Sequence, residues 1–168
     1  MKILVISDNH SDRSRIMNVK KHYEGKVDAM FHCGDSELPY DSVEMKDFIK
    51  VRGNCDGDHT YLTEHIEKMD DDTTVFITHG HLYGIKESLQ RIHYKAKEVE
   101  ANLIFFGHSH QLGAEVIDGC LYVNPGSILL PRDRNESSYA IVEKNGQDVS
   151  VVFLKEDHEE ITSWSGKL

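Results

Sequence analysis

Five short apolar runs in this sequence each stop at a residue able to hold a metal ion or a proton. Lys2–Ser7 runs into Asp8-Asn9-His10, Ala29–Cys33 into Gly34-Asp35, and Phe48–Val51 towards Gly53-Asn54. Thr73–Thr78 ends at His79-Gly80-His81, and Leu103–Phe106 at Gly107-His108-Ser109-His110. Such brief runs, apolar at successive positions, predict strands covered on both faces. In open α/β sheets, ligands bind in the crevice beyond the carboxyl ends of the strands. Five segments far apart in sequence would then deliver their polar side chains to one place. The glycines among them permit tight turns and close backbone approach.

Between the strands the period changes. Ser11 or Asp12 can cap a helix that runs to about Tyr23, with Ile16, Val19 and Tyr23 on one face. Ile85, Leu89, Ile92, Ala96 and Val99 form the stripe of an amphipathic helix. Residues 41–47 are ambiguous, with a helix as one option, and residues 52–58 read as a loop. His65–Met69 reads as a weak strand before the turn at Asp70-Asp71-Asp72.

Beyond residue 113 the pattern is one of hairpins. Ala114–Ile117 and Cys120–Val123 flank Asp118-Gly119, and Tyr139–Glu143 and Val149–Leu154 flank Asn145-Gly146-Gln147. Glu156–Glu160 reads as a solvated acidic end. No repeat or linker divides the chain. The expectation is a single α/β domain over residues 1–168, with sheets packed together and helices outside.

Length and charge close off other classes. The 168 residues match one domain, at roughly 100–200 residues per domain. The net charge of −10, from 19 Lys and Arg against 29 Asp and Glu, lacks the basic footprint of a protein that coats nucleic acid. Long nucleic acid is therefore not an expected partner. No apolar run exceeds four residues, against the roughly 20 of a membrane-spanning helix. Ile3–Ile6 is too short for the apolar part of a secretory signal. Three cysteines without CxxC spacing give no disulfide framework. The expectation is a soluble, cytoplasmic protein with no membrane partner, and a homo-oligomer is left open.

The eleven histidines matter for where they fall. Singly, an Asp-x-His after a strand is ordinarily a helix cap with a surface histidine, and Gly-Asp or Gly-Asn is a turn. Together, all these polar groups sit at the same end of their strands, and a buried cluster of this kind needs partners. Carboxylate, imidazole and one amide, without an obligatory thiolate, suit borderline first-row divalent ions. Asp8, His10, Asp35, Asn54, His79, His108 and His110 are too many for one tetrahedral ion. They suit two ions sharing a carboxylate, a pairing used for displacement at phosphorus. Two dications outweigh two carboxylates, so an acidic protein would carry a locally positive pocket for a phosphate.

Asp8-x-His10, Gly34-Asp35, Gly53-Asn54, His79 and Gly107-His108-x-His110, in that order, resemble the signature of the calcineurin-like metallophosphoesterases. The strings His-Cys-Gly-Asp, Gly-Asn-Cys-Asp, Thr-His-Gly-His and Asn-Pro-Gly-Ser are similar to those of the small prokaryotic YfcE-like phosphodiesterase branch. The resemblance spans residues 1 to about 130. It implies a four-layer α/β-β/α sandwich with a dinuclear centre at one edge. By that resemblance Asp8, His10 and His110 hold one metal, Asn54, His79 and His108 the second, and Asp35 bridges. Manganese is the ion it implies, with nickel, iron, zinc or magnesium as substitutes.

The activity it implies is hydrolysis of a small phosphate ester by a hydroxide held between the metals, with Asp35, Asn54 and His79 acting through the ions. Larger relatives have a histidine acid after Gly-Asn, where this chain has Cys55, a poorer donor. That favours substrates with good leaving groups. His81 and Asp56 are alternative proton donors, or supports of the site. Asn124–Ser127 would lie near the metals, and Arg132 and Arg134 are candidates to meet substrate phosphate. His22, His32, His59, His65, His93 and His158 follow no pattern. The alternative to an enzyme is a non-catalytic protein-binding scaffold on the same fold. Its expected mark is loss of ligands, and here all are present.

Overall fold

Both faces of the central strands are buried, and their side chains alternate between two cores. The computed structural model describes residues 1–132 and 134–168. In β1 (Lys2–Ile6), Ile3 and Val5 enter a core between two sheets, while Leu4 and Ile6 enter one beneath a helix. That helix is α1 (Arg13–Tyr23), capped by the Asp12 side chain, which accepts the Arg15 N–H at 3.0 Å. Ile16, Val19 and Tyr23 are its buried stripe.

β2 (Ala29–His32) and β3 (Phe48–Lys50) follow, then β4 (Glu64–Asp70) and β5 (Thr73–Thr78). A short 3-10 turn at His81–Tyr83 leads to α2 (Gln90–Glu98) and β6 (Leu103–Phe105). β7 (Leu112–Ile117), β8 (Cys120–Pro125), β9 (Tyr139–Asn145), β10 (Asp148–Leu154) and β11 (Glu160–Lys167) complete the order. One sheet runs β11-β10-β9-β1-β2-β3 and the other β4-β5-β6-β8-β7. Val75, Ile77, Leu103 and Phe105 enter the core between the sheets, while Phe76, Ile104 and Phe106 pack outward with Ile92 and Ala96 of α2. The order helix, sheet, sheet, helix gives the four layers that the family resemblance implies.

β1, β2 and β3 are mutually parallel, as are β5, β6 and β8. Each triplet therefore sends its carboxyl ends in one direction, and the two sheets bring those ends to a common edge.

Three sequence expectations are corrected. The stripe from Ile85 to Val99 is helical only over Gln90–Glu98, because Gly84 at φ 63 and the turns after it start the segment without a side-chain cap. Ile85 is buried all the same. Residues 41–47 form turns, with Met45 and Lys46 donating to the Ser42 carbonyl at 3.1 and 3.0 Å. The acidic segment after β10 is not simply a solvated end. Asn18 Nδ2 donates to the Glu156 carbonyl at 2.8 Å, Arg15 pairs with the Glu156 carboxylate at 2.9 Å, and the chain returns as β11 along β10.

Across the inner core Phe31 of β2 meets Phe105 of β6 edge-on, with ring centroids 5.3 Å apart. Phe105 is fully buried. Phe105→Ala should lower unfolding free energy by about 3–5 kcal/mol, read by urea denaturation. A loss below about 1 kcal/mol would show that the sheets close over the gap.

Candidate metal centre

The backbone at the common edge is bent where the polar side chains emerge. Asp8, His10, Asp35, His108 and His110 have φ of 57, 42, 53, 67 and 60°, the left-handed region that non-glycine residues rarely adopt. Such strain persists only where the surroundings over-determine it, and it clusters at functional sites. Two glycines allow the loops to close. A Cβ on Gly53 would lie 2.0 Å from Asp35 Oδ1, and one on Gly107 would lie 2.0 Å from Ser7 Oγ.

Asp8 and Asp35 emerge from β1 and β2, and Asn54 from the loop after β3. His79 follows β5, and His108 and His110 follow β6. Among the described residues, three sets of ligating atoms lie within 4.8 Å of one another: Asp8, His10 and His110; Asp8, Asp35 and His79; and His10, Asp35 and Cys55. Asn54 joins through Oδ1, 3.2 Å from His79 Nε2. His108 is in none of the three sets, and its ring centroid lies 5.2 Å from that of His79.

Hydrogen bonds decide which nitrogens carry protons. His79 Nδ1 donates to the Cys33 carbonyl at 2.7 Å, so in the neutral ring Nε2 presents a lone pair. That lone pair faces Asp35 Oδ2 at 3.3 Å and Asn54 Oδ1 at 3.2 Å. His110 Nδ1 likewise donates to the Leu130 carbonyl at 2.7 Å, and its Nε2 faces Asp8 Oδ1 at 3.1 Å and His10 Nε2 at 3.4 Å. Among the described residues, buried Asp8 Oδ1 accepts no hydrogen bond, with His10 and His79 Nε2 each 3.9 Å away. Acceptors gathered face to face in this way fit a cation, and the donor set is the one first-row divalent ions prefer.

Proton affinities follow the same crowding. Burial opposes charge on both His79 and His110, yet Asp35 and Asp8 outweigh it and raise the two imidazoles. Burial likewise opposes the charged form of Asp35, but His79 and the Cys55 N–H hold it far below the usual carboxylate range. His108 goes the other way, pushed down to about 4 by burial and by His79.

The supports of these side chains were only partly foreseen. Asp56 accepts the Asp35 N–H at 2.8 Å, the Gly53 N–H at 2.7 Å and the Glu37 N–H at 2.6 Å, so one carboxylate ties two loops together. Glu37 Oε1 lies 2.6 Å from His10 Nδ1. His32, unmarked by any sequence pattern, bridges Asn9 Oδ1 at 2.8 Å and accepts the Gly34 N–H at 3.2 Å. Its only signal was its place in a buried strand, three residues before Asp35. Asn124 donates to the Gly107 carbonyl at 2.9 Å, and Ser127 Oγ to the Asp8 carbonyl at 2.8 Å. The Asn-Pro-Gly-Ser turn thus clamps two of the loops. His81 stands beside His79 and His108, with centroids 5.4 and 6.0 Å away, and its buried Nδ1 has no hydrogen-bond partner among the described residues.

The model of the calcineurin-like phosphoesterase superfamily domain matches residues 1–147. The chain is 41% identical over 166 residues to the probable metallophosphoesterase YsnB of Bacillus subtilis, covering 96% of this chain and 95% of that one. It is 28% identical over 147 residues to the phosphodiesterase MJ0936 of Methanocaldococcus jannaschii, covering 75% and 83%. A crystal structure from Streptococcus pneumoniae, described as a predicted phosphoesterase, superposes with a TM-score of 0.95 at 38% identity, covering 99% of this chain and 97% of that one. With the fold, the gathered acceptors and the match over most of its length in agreement, this chain belongs to the calcineurin-like phosphoesterase superfamily.

Proposed function

We propose that this protein is a phosphodiesterase that hydrolyses small phosphate esters at a centre of two divalent cations. The observation that carries the reading is the pair of clusters of ligating atoms around His79 Nε2 and Asp8 Oδ1, the latter buried without a hydrogen-bond partner among the described residues. Asp8, His10 and His110 would hold one ion, Asn54, His79 and His108 the other, with Asp35 between. Manganese fits this donor set, and nickel, iron, zinc or magnesium would substitute. When bound, such a pair supplies Lewis acidity to phosphoryl oxygens and lowers the pKa of the attacking water.

The rest falls to the chain. The carbonyls of Cys33 and Leu130 hold the rings of His79 and His110 in the tautomer that aims Nε2 inward. Glu37 orients His10, and Asp56 fixes the backbone that carries Asp35. Cys55 is a poor proton donor to a leaving alkoxide: burial and Asp35 push its thiol up to about 11. Esters with acidic leaving groups, aryl phosphodiesters among them, are therefore the favoured substrates. The three cysteines are free thiols, which fits a reducing cytoplasm. The whole chain acts as one catalytic domain.

Three experiments test this reading. Asp35→Asn should abolish turnover of bis(p-nitrophenyl) phosphate and lower bound manganese, with circular dichroism unchanged; full activity in that variant would remove Asp35 from the centre. Asp56→Ala deprives three backbone N–H groups of their acceptor and should reduce activity or metal affinity about 10–100-fold. Single-turnover hydrolysis in oxygen-18 water should place the label in the phosphate product. A first turnover without label would mean that a side chain, not water, attacks phosphorus.

A further inference from the structure

The outer face of the five-stranded sheet carries a cleft whose lining includes Ser109, the residue between His108 and His110. β7 pairs with β8 so that Gly113 lies opposite Asn124 and Glu115 opposite Tyr122. Tyr122 belongs to the outer core beneath α2, so Gly113 and Glu115 share that outward face. Among the described residues, a Cβ on Gly113 would meet nothing within 4 Å. Above it opens a cleft of about 800 Å³, whose far wall is Ile85, Lys86 and Leu89 on the approach to α2. Small-molecule sites typically enclose roughly 300–1,000 Å³.

Three contacts join the cleft to the centre. Ser109, in the wall, sits between His108 and His110. Asn124, on the floor, donates from Nδ2 to Ser109 Oγ and to the Gly107 carbonyl, each at 2.9 Å. Arg132, at the margin, donates its backbone N–H to the His110 carbonyl at 3.2 Å. Among the described residues, the lining mixes apolar surface from Leu89 and Phe106 with the cations of Lys86 and Arg132, against the carboxylate of Glu115. Such a surface accepts a flat, weakly polar group that carries or adjoins negative charge.

We propose that this cleft seats the organic group of the phosphate ester, an aryl or nucleoside group, and that Gly113 sets how large that group can be. The inference rests on the phosphodiesterase reading of the centre. With phosphorus held among the histidines, an ester group extending past Ser109 enters the cleft. The open space over Gly113 is what admits it.

Gly113→Leu and Gly113→Trp project a side chain into this space from an exposed strand position. Calorimetric titration of the manganese-loaded proteins with adenosine 5′-monophosphate and with inorganic phosphate separates the cleft from the centre. Wild type should bind the nucleotide more tightly than phosphate. The variants should weaken nucleotide binding by at least about tenfold, more for Trp than for Leu, and leave phosphate binding unchanged. Equal nucleotide affinity in wild type and Gly113→Leu, parallel loss of both ligands, or a wild type that prefers phosphate would each overturn the inference. A wild type that neither binds manganese nor hydrolyses bis(p-nitrophenyl) phosphate would overturn the phosphodiesterase reading itself and the cleft assignment with it.

Discussion

With the imidazoles neutral, lone pairs aimed at one another repel, and the common edge of the two sheets is built around several. His79 Nε2 faces two oxygens, and Asp8 Oδ1 faces three imidazoles, because the opposite ring nitrogens of His79 and His110 are committed to carbonyls. In a low-dielectric interior, such an arrangement is stable only with a proton or a cation in the middle. The surrounding loops are shaped to keep these groups in place. Five ligand candidates sit on left-handed backbone, and Gly53 and Gly107 let the loops touch where any side chain would collide.

That placement requires a rigid base. The ligand candidates come from two separate sheets, so any slip between the sheets would pull Asp8 and Asp35 away from His79 and His108. The inner core opposes such a slip: Phe31 and Phe105 meet edge-on a few residues before Asp35 and Gly107, and Ile3, Val5, Val75 and Ile77 fill the space around them. Well-packed interiors deform little, so the geometry of the edge is inherited from the packing beneath it.

What the sequence revealed follows from how each feature is encoded. Strand ends were legible because a buried strand leaves a continuous apolar run, and the residue that stops it is conspicuous. Asp8, Asp35 and His79 could be found in this way, while their convergence depended on strand direction. α2 was overextended because Ile85 keeps the spacing of a helix while being buried by a turn. β11 escaped notice because it is an edge strand: in it only Ile161 and Trp164 are large and apolar, too few to show an alternation. His32 was hidden for a different reason, and Asp56 was legible as a support of the site only without its partners. Their work is to hold backbone N–H groups, and no residue spacing announces a partner that any amide can be.

The left-handed backbone beneath the ligand candidates also sets what mutation can do there. At Asp8, His10, Asp35, His108 or His110, glycine would relax the main chain and remove a candidate ligand at the same step. Backbone strain and chemistry therefore pull in opposite directions at these five positions.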